Sequence, residues 1–477
     1  MKIYFLILLS FGLLLSCQPP LEPLFQPQSG YFTQIDGMIS RGPFSLKGAW
    51  LTSTDPMLKK STQGVLNLGV QDLPGGWGYQ GRFMEKGVLF LSAEIALNNP
   101  QGMWTLDLPT IFCAYRVYIN GELKKEVGRV GDDRGLGYQE AVYPTQIYFP
   151  WIGNKTRIVL EVVNLSTPQG GIQGDLILSP MISGIKNRDL RIAENFFLAG
   201  AFLLVSIFHL FQFIVFPRRK ADLYLSLFTL MALIRTLLTD QKVLTWLWNI
   251  PFEFQYDLEY GTVFALVHFL TLYLGALFPK FWKPKLVIPL LCANALLSFT
   301  LVFLNNYTFT QIFNYYLVIF LPLMGLNIGM ILRAFREKVD GTGLLLGAVS
   351  LIVIVGVSDL LYSLGWHNLG SHFNLGFFGF LIFQFYLLAS RSTKEQNAAK
   401  EAVKKLQETK IQQDVFVANT THELKTPLHG VTGMAEALAS SSSLPRNFPQ
   451  SLSEIRTLGK EMDERLDALL TTSTEEN

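Results

Sequence analysis

The segment FFLAGAFLLVSIFHLFQFIVFPRRK, residues 196–220, decides the fold class, because a long apolar run is followed at once by three cations. Residues 196–216 contain no Asp, Glu, Lys or Arg, and about 20 apolar residues suffice for an α-helix to cross the hydrocarbon core of a bilayer. Cations directly after such a helix favour the cytoplasmic side of the membrane. The sequence therefore predicts a membrane-spanning helix here, with its C-terminal end in the cytoplasm.

The composition of the whole chain agrees with a membrane protein. Of 477 residues, 49% are hydrophobic and 16% are charged, whereas soluble domains carry about 25% charged residues. This excludes a soluble enzyme, and a net charge of +2 supplies no basic surface for nucleic acid. The three cysteines, Cys17, Cys113 and Cys292, form no CxxC pair and no zinc-like cluster. We therefore expect no disulfide scaffold, no metal site and no nucleic-acid partner.

Seven apolar segments predict a seven-helix bundle within residues 190–390. They lie at 196–216, 223–238, 260–278, 286–304, 312–332, 343–361 and 374–389. The connections after the first, third and fifth segments contain nine basic residues, whereas the intervening connections contain only Lys242. This bias predicts a multi-pass membrane protein with the preceding domain outside and the C-terminus in the cytoplasm.

Two ionisable side chains, Arg235 and Asp359, fall near the outer ends of the second and sixth predicted spans. Charges within a membrane usually pair or line a wet cavity. One interpretation is that Arg235 and Asp359 pair and form part of a sensing pocket. The other is that each side chain reaches separately to the outer interface.

The N-terminus is typical of an export signal, with Lys2 before an apolar stretch too short to be a standard membrane span. The sequence Leu14-Leu15-Ser16-Cys17 at its end resembles the bacterial lipoprotein cleavage box. That resemblance implies a signal peptide over residues 1–17 and acylation of Cys17. An uncleaved signal anchor is the alternative. A Pro-rich tether over residues 18–29 follows.

Residues 30–185 are expected to form an exported all-β domain, because short apolar runs recur between Gly, Pro and Asn residues. The dipeptide Asn120-Gly121 between two such runs predicts a type I′ hairpin. The order of these runs resembles the galactose-binding-like jelly roll, which implies an extracytoplasmic small molecule or carbohydrate as ligand. The candidate ligand-binding residues are Trp77, Tyr79, Trp104, Asp132, Asp133 and Arg134. Alternatively, the aromatic residues belong to the core and the charged loop is a solvated turn.

An exported jelly roll, seven spans and a cytoplasmic signalling tail together resemble the bacterial seven-transmembrane receptors with diverse intracellular signalling modules. The resemblance covers about residues 30 to 390. It implies that the outer domain binds a ligand and that the helices transmit the signal inwards.

The cytoplasmic tail contains the most specific motif. Residues 391–415 are polar and helix-forming, as in a signalling helix, and the run FVANTTHELKTPL follows at residues 416–428. Apolar residues repeat at steps of three and four, which predicts an amphipathic helix with His422 about 200° from Leu424 and pointing away from the stripe. The stripe comprises Leu424, Leu428, Val431, Ala435 and Leu438. A second amphipathic helix is predicted from Leu452 onwards.

The run closely resembles the H-box of the dimerisation and phosphoacceptor domain of sensor histidine kinases, here residues 405–477. The resemblance implies that His422 is the phosphoacceptor, that Glu423 is its acid/base, and that Thr426 positions water for dephosphorylation of a response regulator. It also implies a homodimer, in which two helical hairpins form a four-helix bundle.

The sequence departs from that family because no ATP-binding motif occurs within it. We therefore expect no cofactor in this chain. A kinase domain that uses ATP and Mg²⁺ is expected in cis if the chain is truncated, or in trans if the kinase is split, and enzyme activity of the chain stays open. The predicted function is a membrane sensor histidine kinase of a two-component system. The alternatives are a non-catalytic seven-transmembrane receptor and a carbohydrate-binding lipoprotein that signals through dimerisation or partner docking.

The charge bias predicts the topology directly. A reporter fused after Arg391 should be cytoplasmic, and a reporter inserted into residues 305–311 should be external, because nine cations lie on one side and one on the other. Enzymatic activity of compartment-specific reporters measures both positions. An external reporter after Arg391 would contradict the seven-span topology.

Overall fold

The computed structural model describes two compact units, Met1–Leu387 and Leu388–Asn477. The residues described are 21–34, 42–63, 65–76, 87–131, 137–165, 171–172, 174–248, 250–313, 315–339, 341–363, 373–440 and 448–475.

The first unit begins with a β-rich region. Its strands are β1 (Glu22–Pro23), β2 (Phe25–Gln28), β3 (Tyr31–Thr33), β4 (Phe44–Ser45), β5 (Gly48–Ser53), β6 (Gly69–Leu73), β7 (Gly75–Gly76), β8 (Gly87–Ala96), β9 (Met103–Leu108), β10 (Ala114–Ile119), β11 (Glu122–Val127), β12 (Thr145–Pro150), β13 (Lys155–Asn164), β14 (Gly171–Ile172) and β15 (Ile177–Pro180). One sheet has the order β11–β10–β13–β8–β3–β2, with β5 pairing with β8 and β6 with β5. A second sheet has the order β1–β4–β15–β9–β12, and β14 pairs with β7.

The two larger sheets share one hydrophobic core. Leu91 and Leu160 of the first sheet and Leu106 of the second are fully buried in the same cluster. Trp50 is also fully buried, and its indole nitrogen donates to the Leu46 carbonyl at 3.0 Å. Packing a large aromatic side chain while satisfying its one donor is what a stable core requires.

The hairpin between β10 and β11 follows the sequence prediction. Asn120 and Gly121 have φ values of 51° and 84°, and a type I′ turn requires positive φ at both of its central residues. Strand β8 is continuous from Gly87 to Ala96. Ser92 and Glu94 face the opposite side of the sheet from the core, so they belong to the alternation of one strand.

Helices follow the β-rich region. They are α1 (Met181–Val215), α2 (Lys220–Leu238), α3 (Val243–Trp248), α4 (Phe252–Leu277), α5 (Pro284–Phe299), α6 (Asn306–Phe313), α7 (Leu317–Arg336), α8 (Thr342–Ser363), α9 (Phe373–Ala439) and α10 (Phe448–Glu475). Five segments among the described residues are long and apolar enough to span a membrane, namely Met181–Val215, Lys220–Leu238, Phe252–Leu277, Pro284–Val302 and Val318–Arg336. Shorter apolar helical stretches lie at Leu345–Ser358 and Gly376–Tyr386, so the count of seven stays a prediction.

Strand β15 runs directly into α1, because Pro180 ends the strand and Met181 begins the helix. A β-carbon on Gly184 would collide with the Thr105 hydroxyl of β9. The glycine therefore permits the first turns of α1 to lie against the sheet. The β-rich region and the first helix are thus joined by packing as well as by the chain.

Buried polar contacts connect the apolar helices. Ser206 of α1 and Ser226 of α2 each donate to the other's backbone carbonyl, at 3.0 and 2.9 Å. The Asn327 amide of α7 donates to the Thr271 hydroxyl of α4 at 3.0 Å. Such bonds between helices contribute about 0.6 kcal/mol on average in a membrane protein.

The fold predicts the effect of truncating the central tryptophan. Trp50→Ala should lower the free energy of unfolding of the sandwich formed by the two larger sheets by about 3–5 kcal/mol, because it leaves a large cavity at a fully buried position. Leu123→Ala is the control, because that side chain is 48% exposed, and it should change the stability by less than about 0.5 kcal/mol. Hydrogen exchange of the β8 and β13 amides in the full chain measures both. Equal protection in the two variants would contradict the assigned core.

Candidate functional site

The H-box lies on α9, and His422 is on its exposed side. Among the residues of this helix that turn away from solvent are Thr420, Leu424, Pro427 and Val431, at helical steps of three and four. His422 is two positions from Leu424, which is about 200° around a helix. An imidazole in this position can be reached by another protein, as the sequence predicted.

The backbone around the H-box has one irregular feature. Pro427 lies inside α9, and its missing N–H leaves the Glu423 carbonyl without its usual donor one turn later. The Thr426 hydroxyl donates to the His422 carbonyl at 3.2 Å. Glu423 itself is exposed beside His422. The three residues assigned chemistry from the sequence therefore lie within little more than one helical turn.

The helix α10 packs against the H-box helix within the second unit. A β-carbon built on Gly430 would lie 3.2 Å from the Leu458 side chain, so the two helices approach closely there. Leu458 is half-buried, whereas Leu452 is 54% exposed.

The inward-facing stripe of α9 differs in part from the predicted one, because Leu428 is 50% exposed and Ala435 is also exposed. The predicted stripe combined residues that face α10 with residues that point outward. Apolar side chains left outward on one hairpin are available to a second copy.

The proposed ligand-binding residues of the β-rich region are not brought together among the described residues. Trp104 is 5% exposed and packs between Phe44 and Trp151, with ring centroids at 6.2 and 5.2 Å. It is therefore a core residue rather than a surface ring that could stack on a sugar. Trp77, Tyr79, Asp132, Asp133, Arg134 and the lipidation candidate Cys17 lie outside the described residues.

A charged cluster does occur on the outer face of the larger sheet. Glu161 accepts a hydrogen bond from the Tyr118 hydroxyl at 2.6 Å and pairs with Lys59 at 3.0 Å. Burial, with the hydrogen bond to Glu161 as a further cause, raises the pKa of Tyr118 to about 12. Arg116 lies opposite Glu161 in the sheet register and pairs with Glu126 at 3.0 Å. These groups satisfy one another, and the Arg116–Glu126 pair joins β10 to β11 and so stabilises the sheet.

Cys113 is not a nucleophile in this arrangement. Its side chain is fully buried in the sandwich core. Burial, with the Glu140 carboxylate as a second cause, raises the pKa of the Cys113 thiol well above its usual value. A thiol that stays protonated is unreactive.

Arg235, which was predicted to pair with Asp359, contacts the backbone of α4. The Arg235 guanidinium donates to the Glu259 carbonyl oxygen at 3.0 Å. The side chain of Asp359 lies outside the described residues, so the proposed pair is not tested.

Sequence reasoning missed an ion pair at the same end of the helices. The Lys242 ammonium lies 2.9 Å from the Glu259 carboxylate, and Lys242 is buried. The only signal in the sequence was that Lys242 is the single basic residue of the connections assigned to the outside. Among the described residues, no group of three His, Cys, Asp or Glu side chains could hold a metal ion.

Two family models match parts of the chain. Residues 193–391 match the domain described as 7TM diverse intracellular signalling. Residues 412–477 match the His Kinase A (phospho-acceptor) domain. The chain therefore contains one segment that matches each of these domains. The resemblance to the seven-transmembrane receptors is thereby confirmed over residues 193–391, and the resemblance to the phosphoacceptor domain over residues 412–477. The apolar helices within the first of these segments make this a multi-pass membrane protein.

Solved structures with partial likeness include β-glucuronidases. One from an uncultured Clostridium sp. is 13% identical, with 30% of each chain covered and a TM-score of 0.24. The apo enzyme of Ruminococcus gnavus is 15% identical, with 29% of each chain covered and a TM-score of 0.22. The Faecalibacterium prausnitzii enzyme is 10% identical over 31% of this chain and 33% of its own, with a TM-score of 0.23.

This chain thus spans about a third of the length of these enzymes, and no function follows from likenesses of this size. No curated protein matches the chain at a significant level.

Proposed function

We propose that this protein is the membrane sensor of a two-component system and that His422 is its phosphoacceptor. The observation that carries the proposal is an exposed imidazole within an H-box, in a segment that matches the His Kinase A domain. Glu423 and Thr426 lie within little more than one turn of it. A second copy of the chain would cover the outward apolar residues of α9 and complete a four-helix bundle.

The chemistry follows from the properties of imidazole. A ring nitrogen of neutral His422 attacks the γ-phosphorus of ATP held by a kinase domain, so that an N–P bond forms, the bond to the bridging oxygen breaks, and ADP leaves. The proton on the other ring nitrogen is held or accepted by Glu423. The phosphoryl group then passes to a response regulator. Thr426 would position water for the reverse, dephosphorylating activity.

The rest of the proposal concerns the ligand that the protein senses outside the membrane. We assign the β-rich region to a galactose-binding-like jelly roll outside the cytoplasmic membrane, with a small molecule or carbohydrate as ligand. Two sheets around a shared core support this assignment. The basic bias of alternate connections supports seven spans and a cytoplasmic tail. In this proposal, Cys17 anchors the exported end through a lipid.

Replacing the proposed phosphoacceptor tests the function. With an ATP-binding kinase domain fused after Asn477 or added to the chain, radioactive ATP should label the protein. His422→Gln should lower the labelling to background, because amide nitrogen is not nucleophilic. Glu423→Gln should slow labelling, and Thr426→Ala should leave labelling largely intact while slowing dephosphorylation of the regulator. Phosphorus bound to nitrogen should be acid-labile and alkali-stable.

His429→Gln is the matched control, because His429 is exposed on the same helix, seven residues further on. It should retain labelling. Labelling that survives His422→Gln, or that His429→Gln alone abolishes, would contradict the assignment of the phosphoacceptor.

A further inference from the structure

The Lys242–Glu259 ion pair lies where the β-rich region meets the helices, with Lys242 buried and Glu259 partly exposed. The Lys242 side chain is 4% exposed and the Glu259 side chain 25%, and their charged atoms are 2.9 Å apart. A lysine is almost never this buried unless its charge is paired. The pair connects the turn after α2 with the helix α4, so it joins two helices of the 7TM domain.

Both partners of the pair are held in place by further contacts. Lys242 has a φ of 49°, an uncommon backbone conformation for a residue other than glycine, and its N–H donates to the Thr239 carbonyl at 3.1 Å. The Arg235 guanidinium donates to the backbone carbonyl of Glu259 at 3.0 Å. Glu259 is therefore contacted by one cation at its carboxylate and by another at its carbonyl. The backbone of each partner is therefore held by a neighbouring hydrogen bond.

A loop of the β-rich region lies next to this pair. The Lys242 ammonium lies 5.8 Å from the ring centre of Phe112, which belongs to the connection between β9 and β10. A second contact lies nearby in the chain, where the Gln255 amide at the start of α4 donates to the Val142 carbonyl at 3.3 Å. Gln255 and Val142 are both buried. Two loops of the β-rich region therefore rest on the helices that carry the ion pair.

The neighbouring loop affects how strongly Lys242 and Glu259 attract each other, because it limits the access of water to Lys242. With Lys242 buried and Glu259 only partly exposed, the two charges attract each other more strongly than on the surface, and removing one partner leaves the other charge partly buried and uncompensated. If the loop of Phe112 moves away, water enters and the attraction weakens. The interaction between α4 and the turn after α2 thus depends on the position of the β-rich region.

We propose that the Lys242–Glu259 pair beneath Phe112 is the element through which movement of the β-rich region alters the packing of the helices. A role of this pair in regulating phosphorylation at His422 rests on the function proposed above. A physical coupling between the β-rich region and the 7TM domain depends only on the contacts described here.

Hydrogen exchange of the full chain in lipid nanodiscs tests the coupling without a ligand. Lys242→Gln should speed exchange at least about tenfold both in residues 109–113 and in residues 252–262, because loss of a buried pair loosens both sides of the contact. The charge-swapped double variant, Lys242→Glu with Glu259→Lys, should restore much of the protection against hydrogen exchange. Unchanged exchange in β10 shows that each variant is folded.

Lys155→Gln is the matched control. Lys155 also lies 2.9 Å from a carboxylate, that of Glu94, and 5.0 Å from the ring centre of Tyr31, but the two charged side chains are 58% and 41% exposed. This substitution should change exchange in neither segment. If Lys242→Gln affects residues 252–262 alone, or neither segment, the proposed coupling is wrong.

A second measurement connects the pair to signalling. With a kinase domain supplied, Lys242→Gln should change the basal labelling of His422 by about fivefold or more, the size of a typical coupling between sites, and Lys155→Gln should not. Unchanged labelling in Lys242→Gln would overturn the regulatory role. If the unsubstituted chain is never labelled, the function proposed above fails, while the exchange data still decide whether the pair couples the two regions.

Discussion

The hydrocarbon interior of a bilayer is the constraint on which the rest of this structure depends. It offers no water to backbone N–H and C=O groups, so each apolar segment must satisfy its own hydrogen bonds as a helix. It also forces charged side chains to the ends of the helices or into pairs. The contact of Arg235, in the last turn of α2, with the Glu259 carbonyl agrees with this requirement. Uncharged polar side chains must also find hydrogen-bond partners within the protein, and Ser206 and Ser226 do so by bonding to each other's helix.

Features set by local sequence could be predicted. The apolar length of residues 196–216 identified the first membrane helix, and Asn120-Gly121 identified a hairpin whose two residues have positive φ. The exposed position of His422 followed from its angle to Leu424 on one helix. In each example the information lies within one turn or one helix, where steric and periodic rules apply.

Features set by contacts between distant segments could not be predicted. Trp104 was a plausible surface ring until its neighbours Phe44 and Trp151 were known, and these lie 60 and 47 residues away in the chain. The pairing of Lys242 with Glu259 was missed for the same reason, because a single lysine in a short connection carries no signal about its partner. The stripe of α9 was predicted only in part, since apolar residues facing α10 and those facing outward follow the same spacing.

The direct passage from β15 into α1 has a mechanical consequence. No flexible linker separates the strand from the helix, and Gly184 allows the helix to rest against Thr105. The fifteen residues from Met181 to Asn195 precede the apolar run, which corresponds to roughly 22 Å of helix at a rise of 1.5 Å per residue. If the two sheets tilt, these fifteen residues tilt with them, and the apolar part of the same helix must change its angle as well. The angle at which that helix enters the lipid is set by the orientation of a β-sheet.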